Sequence, residues 1–222
     1  TDLRFKRYLH DRIDWSVRLV GIKGARGVGK TTMLLQHIKE SFSNINDVLY
    51  VSLDNLWFEN HELEELVEFL YTHGILHIYF DEVHRYRNWT TLLKHFYDNY
   101  PDLNIVYTGS AMLAIDNSTA DLSRRQSLYT LNGLSFREYL EYENIATIPP
   151  AGLEHLLSDH TGYALNVSSK IKVLKHFDDY LRKGYYPYYK EAGEDYMMRI
   201  GEVVRLIIDN DIQAVENITY IT

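Results

Sequence analysis

One stretch of the sequence decides the fold: Gly24-Ala25-Arg26-Gly27-Val28-Gly29-Lys30-Thr31. It matches the pattern G-x-x-x-x-G-K-[ST] and lies between a short apolar run, Leu19 to Ile22, and a segment with helical spacing, Thr31 to Ser43. Glycines let successive backbone N–H groups turn toward phosphate oxygens, and the following helix presents its positive N-terminus to the same ligand. The sequence therefore predicts a strand, a phosphate-binding loop (residues 24–31) and a helix.

The loop motif predicts a site for ATP and Mg²⁺. Lys30 is expected to meet the β- and γ-phosphates, and the Thr31 hydroxyl is expected to bind the magnesium ion. The residues expected to line the nucleotide are Gly24, Ala25, Arg26, Gly27, Val28, Gly29, Lys30, Thr31 and Thr32.

A second motif, which is acidic, completes the predicted site. Ile78-Tyr79-Phe80 reads as a strand and is followed at once by Asp81 and Glu82. Parallel sheets place their ligand sites at the carboxyl ends of strands, so both acids are expected beside the loop. Asp81 is assigned to the metal and Glu82 to activation of the attacking water as general base.

The fourth predicted strand ends in Thr108-Gly109-Ser110. A hydroxyl at that position can hold the attacking water or respond to phosphate loss, and a simple glycine turn explains the same residues equally well. His84 follows Asp81 without a second histidine at metal-ligand spacing, so we interpret it as a packing or surface residue.

Strands and helices alternate along the first part of the chain, which predicts an α/β fold with a parallel sheet sandwiched by helices. A boundary near Leu134 divides an ATPase core, residues 1–134, from a smaller α-helical lid segment, residues 135–222. The predicted strands are 19–22, 48–53, 75–80, 104–107 and 127–131. The predicted helices are 31–43, a segment capped by Asn60 that ends before Gly74, a segment from Trp89 that stops at Pro101, and then 136–142, 169–183 and 194–209.

Charge is distributed unevenly over the 222 residues, which carry 31 acidic and 23 basic side chains. Residues 1–40 hold nine basic and four acidic groups, whereas residues 41–110 hold three and eleven. The basic segment surrounds the loop, where it would attract an anion. The acidic remainder opposes sequence-independent nucleic-acid binding, which we do not expect of this part of the chain.

The sequence contains no cysteine, and its N-terminus lacks the apolar core of a signal peptide. Its apolar runs fall far short of the roughly 18 residues that a membrane helix needs. We therefore expect a cytoplasmic protein without a membrane partner. Because the chain starts at Thr1 without methionine, we also expect it to be part of a longer protein.

Several motifs together resemble one known family, the prokaryotic AAA-type ATPases whose core precedes a C-terminal domain of unknown function. These proteins belong to the AAA+ branch of P-loop ATPases. The resemblance covers about residues 1–145 well and is carried by Gly24 to Thr32 (GARGVGKTT), Tyr79 to Val83 (YFDEV), Trp89 with Leu92-Leu93, Ile105 to Ser110 (IVYTGS) and Leu134 to Leu140 (LSFREYL).

The resemblance implies roles for two further positions. Thr108 falls on the family's sensor position, and Arg125 falls on a candidate arginine finger that acts on a neighbouring subunit of a homo-oligomer. Arg124 stands where the family usually has glycine, so either arginine fits the role, and two solvated loop arginines remain an alternative.

The leading functional hypothesis is Mg-dependent ATP hydrolysis. Two alternatives stay open: a nucleotide-dependent switch that binds an unknown protein partner with negligible turnover, and a nucleic-acid-linked ATPase acting through a missing C-terminal domain. Glu82 favours hydrolysis, and the acidic charge opposes the last alternative. The tyrosines around Pro187 are interpreted as aromatic packing, with a partner-binding surface as the alternative.

Overall fold

The computed structural model describes residues 5–110 and 122–212. Its sheet has five parallel strands in the order β2-β3-β4-β1-β5. The strands are β1 Leu19–Lys23, β2 Val48–Ser52, β3 His77–Asp81, β4 Asn104–Gly109 and β5 Ser127–Thr130. All five predicted strands are therefore present, with ends shifted by two residues or fewer.

In the described residues, three α-helices cover the sheet and five more follow the last strand. The covering helices are α1 Lys30–Ser41, α2 Leu63–Thr72 and α3 Trp89–Asn99. The later ones are α4 Phe136–Tyr142, α5 Leu153–Lys170, α6 Val173–Lys183, α7 Tyr189–Ala192 and α8 Tyr196–Leu206, which continues as a π-helix, Ile207–Ile212. No helix in the described part of the chain combines the length and hydrophobicity that a bilayer crossing requires.

Successive side chains of the strands pack alternately into two separate hydrophobic layers. Ile78 and Phe80 pack with the helices α2 and α3, whereas Tyr79 faces the layer that contains α1. Burial on both faces explains why these strands appear as nearly continuous apolar runs in the sequence. The prediction of a parallel sheet sandwiched by helices is confirmed.

A stack of rings joins the N-terminal segment to α1. The Trp15 indole lies parallel to the His37 ring with centroids 3.7 Å apart, and His10 packs edge-on to His37. Burial lowers the pKa of His37 from 6.5 to about 4; the neighbouring His10 acts in the same direction, and Glu40 opposes it. His37 is therefore neutral at physiological pH.

A third cluster lies within the helical segment. Tyr139, Tyr189 and Tyr196 are buried there, and Tyr186 and Tyr188 pack against them. Most tyrosines around Pro187 thus serve aromatic packing, as the first of the two interpretations predicted.

Three predicted helices differ from the structure at their ends, and one further helix was not predicted. Asn60 does not cap α2, because the Asn55 side chain accepts a hydrogen bond from the Trp57 N–H and starts a 3₁₀ turn that ends before Asn60. The helix therefore begins only at Leu63. The helix α5 was not predicted: it has no buried residue, so apolar spacing gave little signal.

The predicted helix 169–183 is in fact two helices. Ser169 and Lys170 end α5, Ile171 is extended, and α6 begins at Val173. The predicted helix 194–209 begins at Tyr196, because a 3₁₀ turn occupies Gly193–Asp195.

Candidate nucleotide site

The phosphate-binding loop lies between β1 and α1. Gly27 and Gly29 have φ angles of +80° and +95°, in the left-handed region that favours glycine. The Lys30 ammonium is almost fully buried and donates hydrogen bonds to the carbonyl oxygens of Gly24 and Ala25, at 2.9 and 3.0 Å. The loop therefore folds around the amine that is expected to reach phosphate.

Sheet topology brings the acidic motif next to this loop. The strand β4 lies between β3 and β1, and the registers align the carboxyl ends of all three strands at one edge. Asp81 ends β3 there and is only 3% exposed. Thr108 lies in the adjacent strand and is fully buried.

Asp81 is the common acceptor of the site. Its Oδ2 accepts hydrogen bonds from the Thr31 hydroxyl at 2.6 Å and from the Tyr50 hydroxyl at 2.9 Å. Its Oδ1 accepts from the Thr108 hydroxyl and, at 3.2 Å, from the Glu82 backbone N–H. The structure thus gathers Thr31, Asp81, Thr108 and Glu82 into one network.

Glu82 occupies a left-handed backbone conformation, with φ at +54°. Its N–H also donates to the Thr108 hydroxyl at 3.1 Å, which fixes the peptide at the end of β3. Burial raises the pKa of the Glu82 carboxyl, the Lys30 charge opposes that rise, and the Asp81 charge adds to it. A carboxylate with a raised pKa is a better proton acceptor.

His84 contacts this carboxylate, a contact that sequence spacing did not predict. Its Nε2 lies 3.3 Å from Glu82 Oε2, and its Nδ1 accepts a hydrogen bond from the Ser110 N–H at 3.4 Å. The residue interpreted as packing or surface histidine therefore supports the side chain of the predicted general base.

The oxygen donors at the loop fit a magnesium ion. The Thr31 hydroxyl and Asp81 carboxylate are already in hydrogen-bond contact, and Mg²⁺ prefers such hard oxygen ligands. Among the residues described, no group of three or more His, Cys, Asp or Glu side chains is placed to hold a metal. An ion here would therefore complete its shell with water and phosphate oxygens.

A cavity of about 620 Å³ opens beside the loop. Its walls include Gly27, Gly29, Lys30, Thr31, Thr32 and Glu82 from the predicted site, and Phe5, Arg7, Gln36, Tyr142, Pro187, Tyr188 and Glu191 from other segments. A larger cavity has a volume of about 970 Å³. It is lined by residues that follow β2 and β3 in the chain, Asp54 and Arg85 among them. Of these two cavities, only the smaller one is lined by the phosphate-binding loop.

Among the residues that sequence reasoning missed at this cavity and its network, three lie against predicted site residues. Tyr50 donates to Asp81, Arg7 contacts the loop, and the Tyr188 ring lies so close to Gly27 that an added Cβ would be 2.5 Å from it. Tyr50 and Tyr188 carry no motif that could have revealed them. Arg7 has a partial signal: its partner Glu138 belongs to an S-x-x-E capping box with Ser135.

The two candidate finger arginines differ in their surroundings. Arg125 grips Asp98 with a two-pronged contact, Nε to Oδ1 at 2.8 Å and Nη2 to Oδ2 at 3.0 Å. Arg124 is exposed. Neither lines the cavity beside the loop.

Residues 16–140 match the family described as an AAA domain, which is more than half of the chain. The chain belongs to this AAA domain family. Its α/β P-loop fold followed by a helical segment is the predicted fold class.

No curated protein matches the sequence of this AAA domain. Among solved structures it is similar to "Structure of C. elegans PCH-2", with 20% sequence identity and a TM-score of 0.36. The match covers 57% of this chain and 38% of that one, so the chain spans well under half the length of PCH-2.

Proposed function

We propose that this AAA domain binds Mg-ATP in the 620 Å³ cavity and hydrolyses it. The observation that carries the proposal is the network around Asp81, which joins the Thr31 hydroxyl of the loop to Thr108 and to the Glu82 peptide. These are the groups that phosphoryl transfer to water requires, held at one edge of the sheet.

Each side chain has a role that follows from its position. Lys30 exchanges the carbonyls of Gly24 and Ala25 for phosphate oxygens, which keeps its buried charge compensated. Thr31 and Asp81 would hold magnesium, which would supply positive charge to neutralise the charge developing on the transferred phosphate.

Glu82 accepts the proton of the attacking water. Its raised pKa and its place in the cavity wall support this role. Thr108 holds the Asp81 carboxylate and the Glu82 N–H in fixed directions. Because its hydroxyl bonds to both groups, a change in the position of either one would reach Thr108.

Hydrolysis by this site is proposed to involve a second copy of the chain, which supplies an arginine in trans. Arg125 serves this role only after breaking its contact with Asp98, whereas exposed Arg124 starts without that contact. Both arginines remain candidates, but turning Arg124 toward a neighbouring subunit does not require breaking the Asp98 contact.

We also propose that the chain divides into a core of residues 1–134 and a lid of residues 135–222. The further proposals are a C-terminal domain of the family resembled, a prokaryotic origin, a cytoplasmic location and an unknown protein partner.

The deciding experiment measures phosphate release from ATP by the whole chain, with magnesium and with EDTA, alongside calorimetric ATP binding. Magnesium-dependent release supports the proposal. Binding without release would favour the nucleotide-dependent switch, and absence of ATP binding would refute the site assignment.

A further inference from the structure

Arg7 is a buried arginine outside the loop motif, and its guanidinium donates hydrogen bonds to four residues. It is 4% exposed. Its Nη1 donates to the Val28 carbonyl, its Nη2 donates to the carbonyls of Asn132 and Gly133 at 2.7 and 3.0 Å, and its Nε donates to Glu138 Oε1 at 2.9 Å. All three nitrogens are therefore used.

The contact with Val28 bears on the direction of a neighbouring N–H group. In a planar trans peptide the carbonyl of one residue and the N–H of the next point in opposite directions. The described residues contain no cis peptide, so fixing the Val28 carbonyl toward Arg7 turns the Gly29 N–H to the other side. Gly29 and Arg7 both line the cavity proposed for nucleotide, so Arg7 fixes a peptide of the loop at the wall of that cavity.

Arg7 is itself held rigidly by Glu138. The two oxygens of that carboxylate also accept hydrogen bonds from the Tyr8 N–H at 3.0 Å and the Ser135 N–H at 2.9 Å. Burial alone would raise the pKa of Glu138, but the hydrogen bond and charge of Arg7, together with the backbone N–H groups of Ser135 and Tyr8, lower the pKa. Glu138 thus stays ionised and orients the guanidinium.

We propose that Arg7 is a positioning residue for the nucleotide site, which fixes the Val28–Gly29 peptide of the phosphate-binding loop by holding the Val28 carbonyl. The inference rests on the proposed function of that site. It also links the loop to α4, because Glu138 belongs to that helix. The positioning role is exerted through the loop backbone, and the Arg7 side chain also lies in the cavity wall.

The test compares Mg-ADP affinity of the whole chain with that of Arg7→Lys, by calorimetry. Lysine keeps the positive charge near Glu138 but lacks the fork that reaches several carbonyls at once. We expect the dissociation constant to rise about tenfold, the factor that one well-placed hydrogen bond represents. The control is Arg12→Lys, the same change at an exposed arginine, for which affinity should stay unchanged.

A spectroscopic readout separates positioning from mere stabilisation. In ¹⁵N-labelled parental chain the Gly29 amide resonance should move downfield on adding ADP, and in folded Arg7→Lys this movement should be reduced. Urea unfolding of each variant shows that the comparison is made between folded proteins. Affinity within twofold of the parent, with an unchanged Gly29 response, would overturn the inference.

A second variant covers the case in which Arg7→Lys does not fold. Arg7→Met with Glu138→Gln removes both buried charges together, which proteins tolerate better than loss of one partner. It should also bind Mg-ADP about tenfold more weakly; a folded double variant with parental affinity would refute the proposal.

The parental chain supplies a readout that needs no variant. The Arg7 guanidinium protons should exchange slowly with solvent, and rapid exchange would overturn the inference. If the parent bound neither ADP nor ATP, the proposed function would fall together with this inference. Parental binding with unchanged affinity in Arg7→Lys would remove only the inference.

Discussion

Asp81→Asn separates the structural role of the carboxylate from its metal-binding role. The side chain accepts four hydrogen bonds, from the hydroxyls of Thr31, Tyr50 and Thr108 and from the Glu82 N–H. The asparagine side chain of the variant keeps its oxygen toward the Glu82 N–H, because an N–H can only donate. Its amide nitrogen then faces the hydroxyls of Thr31 and Tyr50. Those two hydroxyls can rotate and accept, so no polar group is stranded. We expect a loss of stability of about 1–3 kcal/mol, the difference between charged and neutral acceptors.

The effect on magnesium should be larger than this structural cost suggests. Asp81 is the only carboxylate in contact with Thr31 among the described hydrogen bonds, and its replacement removes the charge that attracts the ion. The factor by which magnesium strengthens ATP binding should fall about ten- to hundredfold, as expected for one charge-assisted contact.

Calorimetric titration with ATP in magnesium and in EDTA measures that factor directly. Asp54→Asn is the matched control, because it makes the same chemical change at an exposed carboxylate two residues after β2. A folded Asp81→Asn variant that kept the parental magnesium dependence would show that the ion is held elsewhere.

Four further outcomes are expected. Lys30→Ala should abolish ATP binding, and retained affinity would remove the loop from the site. Glu82→Gln should keep ATP binding while turnover falls by about 10² to 10⁴; parental turnover would place the base elsewhere. An Arg124→Ala/Arg125→Ala chain mixed with the Lys30→Ala chain should regain some ATPase activity, because one mixed interface joins an intact loop to an intact arginine. Activity per chain that stayed constant across self-association would exclude the arginine in trans. Because the pKa of His37 is lowered to about 4, the unfolded chain binds more protons between pH 6.5 and 4. Stability in urea should therefore fall by about 1–2 kcal/mol as the pH drops through that range, after allowance for solvent screening, and His37→Gln should flatten this dependence.

The sequence predicted those parts of the fold that follow from local periodicity. Strands such as Ile78 to Phe80 are buried on both faces and appear as apolar runs, and α1 to α3 keep one apolar face against the sheet. The loop and Asp81 could be paired before the structure was known, since parallel strands align their carboxyl ends. The helix α5 lacked such a signal because its side chains remain at the surface.

The missed residues are those whose roles depend on contacts distant in sequence. Arg7 meets Glu138 across 131 positions and Asn132 across 125, and no local spacing encodes either pairing. Tyr50 meets Asp81 only because β2 and β3 are neighbours in the sheet. Sequence reasoning therefore identified groups that carry chemistry, and the structure was needed to identify groups that orient them.

The hydrogen bonds of the site indicate how nucleotide can bind without stranding polar groups. Lys30 is compensated by the carbonyls of Gly24 and Ala25, and Thr31 by Asp81, so neither group depends on ligand for its hydrogen bonds. Phosphate and magnesium must displace these internal partners, so the net gain for each contact is a difference between two hydrogen bonds. Arg7 differs, because its contact with Val28 holds the loop backbone and is not one of the contacts that phosphate or magnesium is proposed to replace. In the proposed function, ligand would replace the internal contacts of Lys30 and Thr31 while Arg7 continues to hold the Val28 carbonyl.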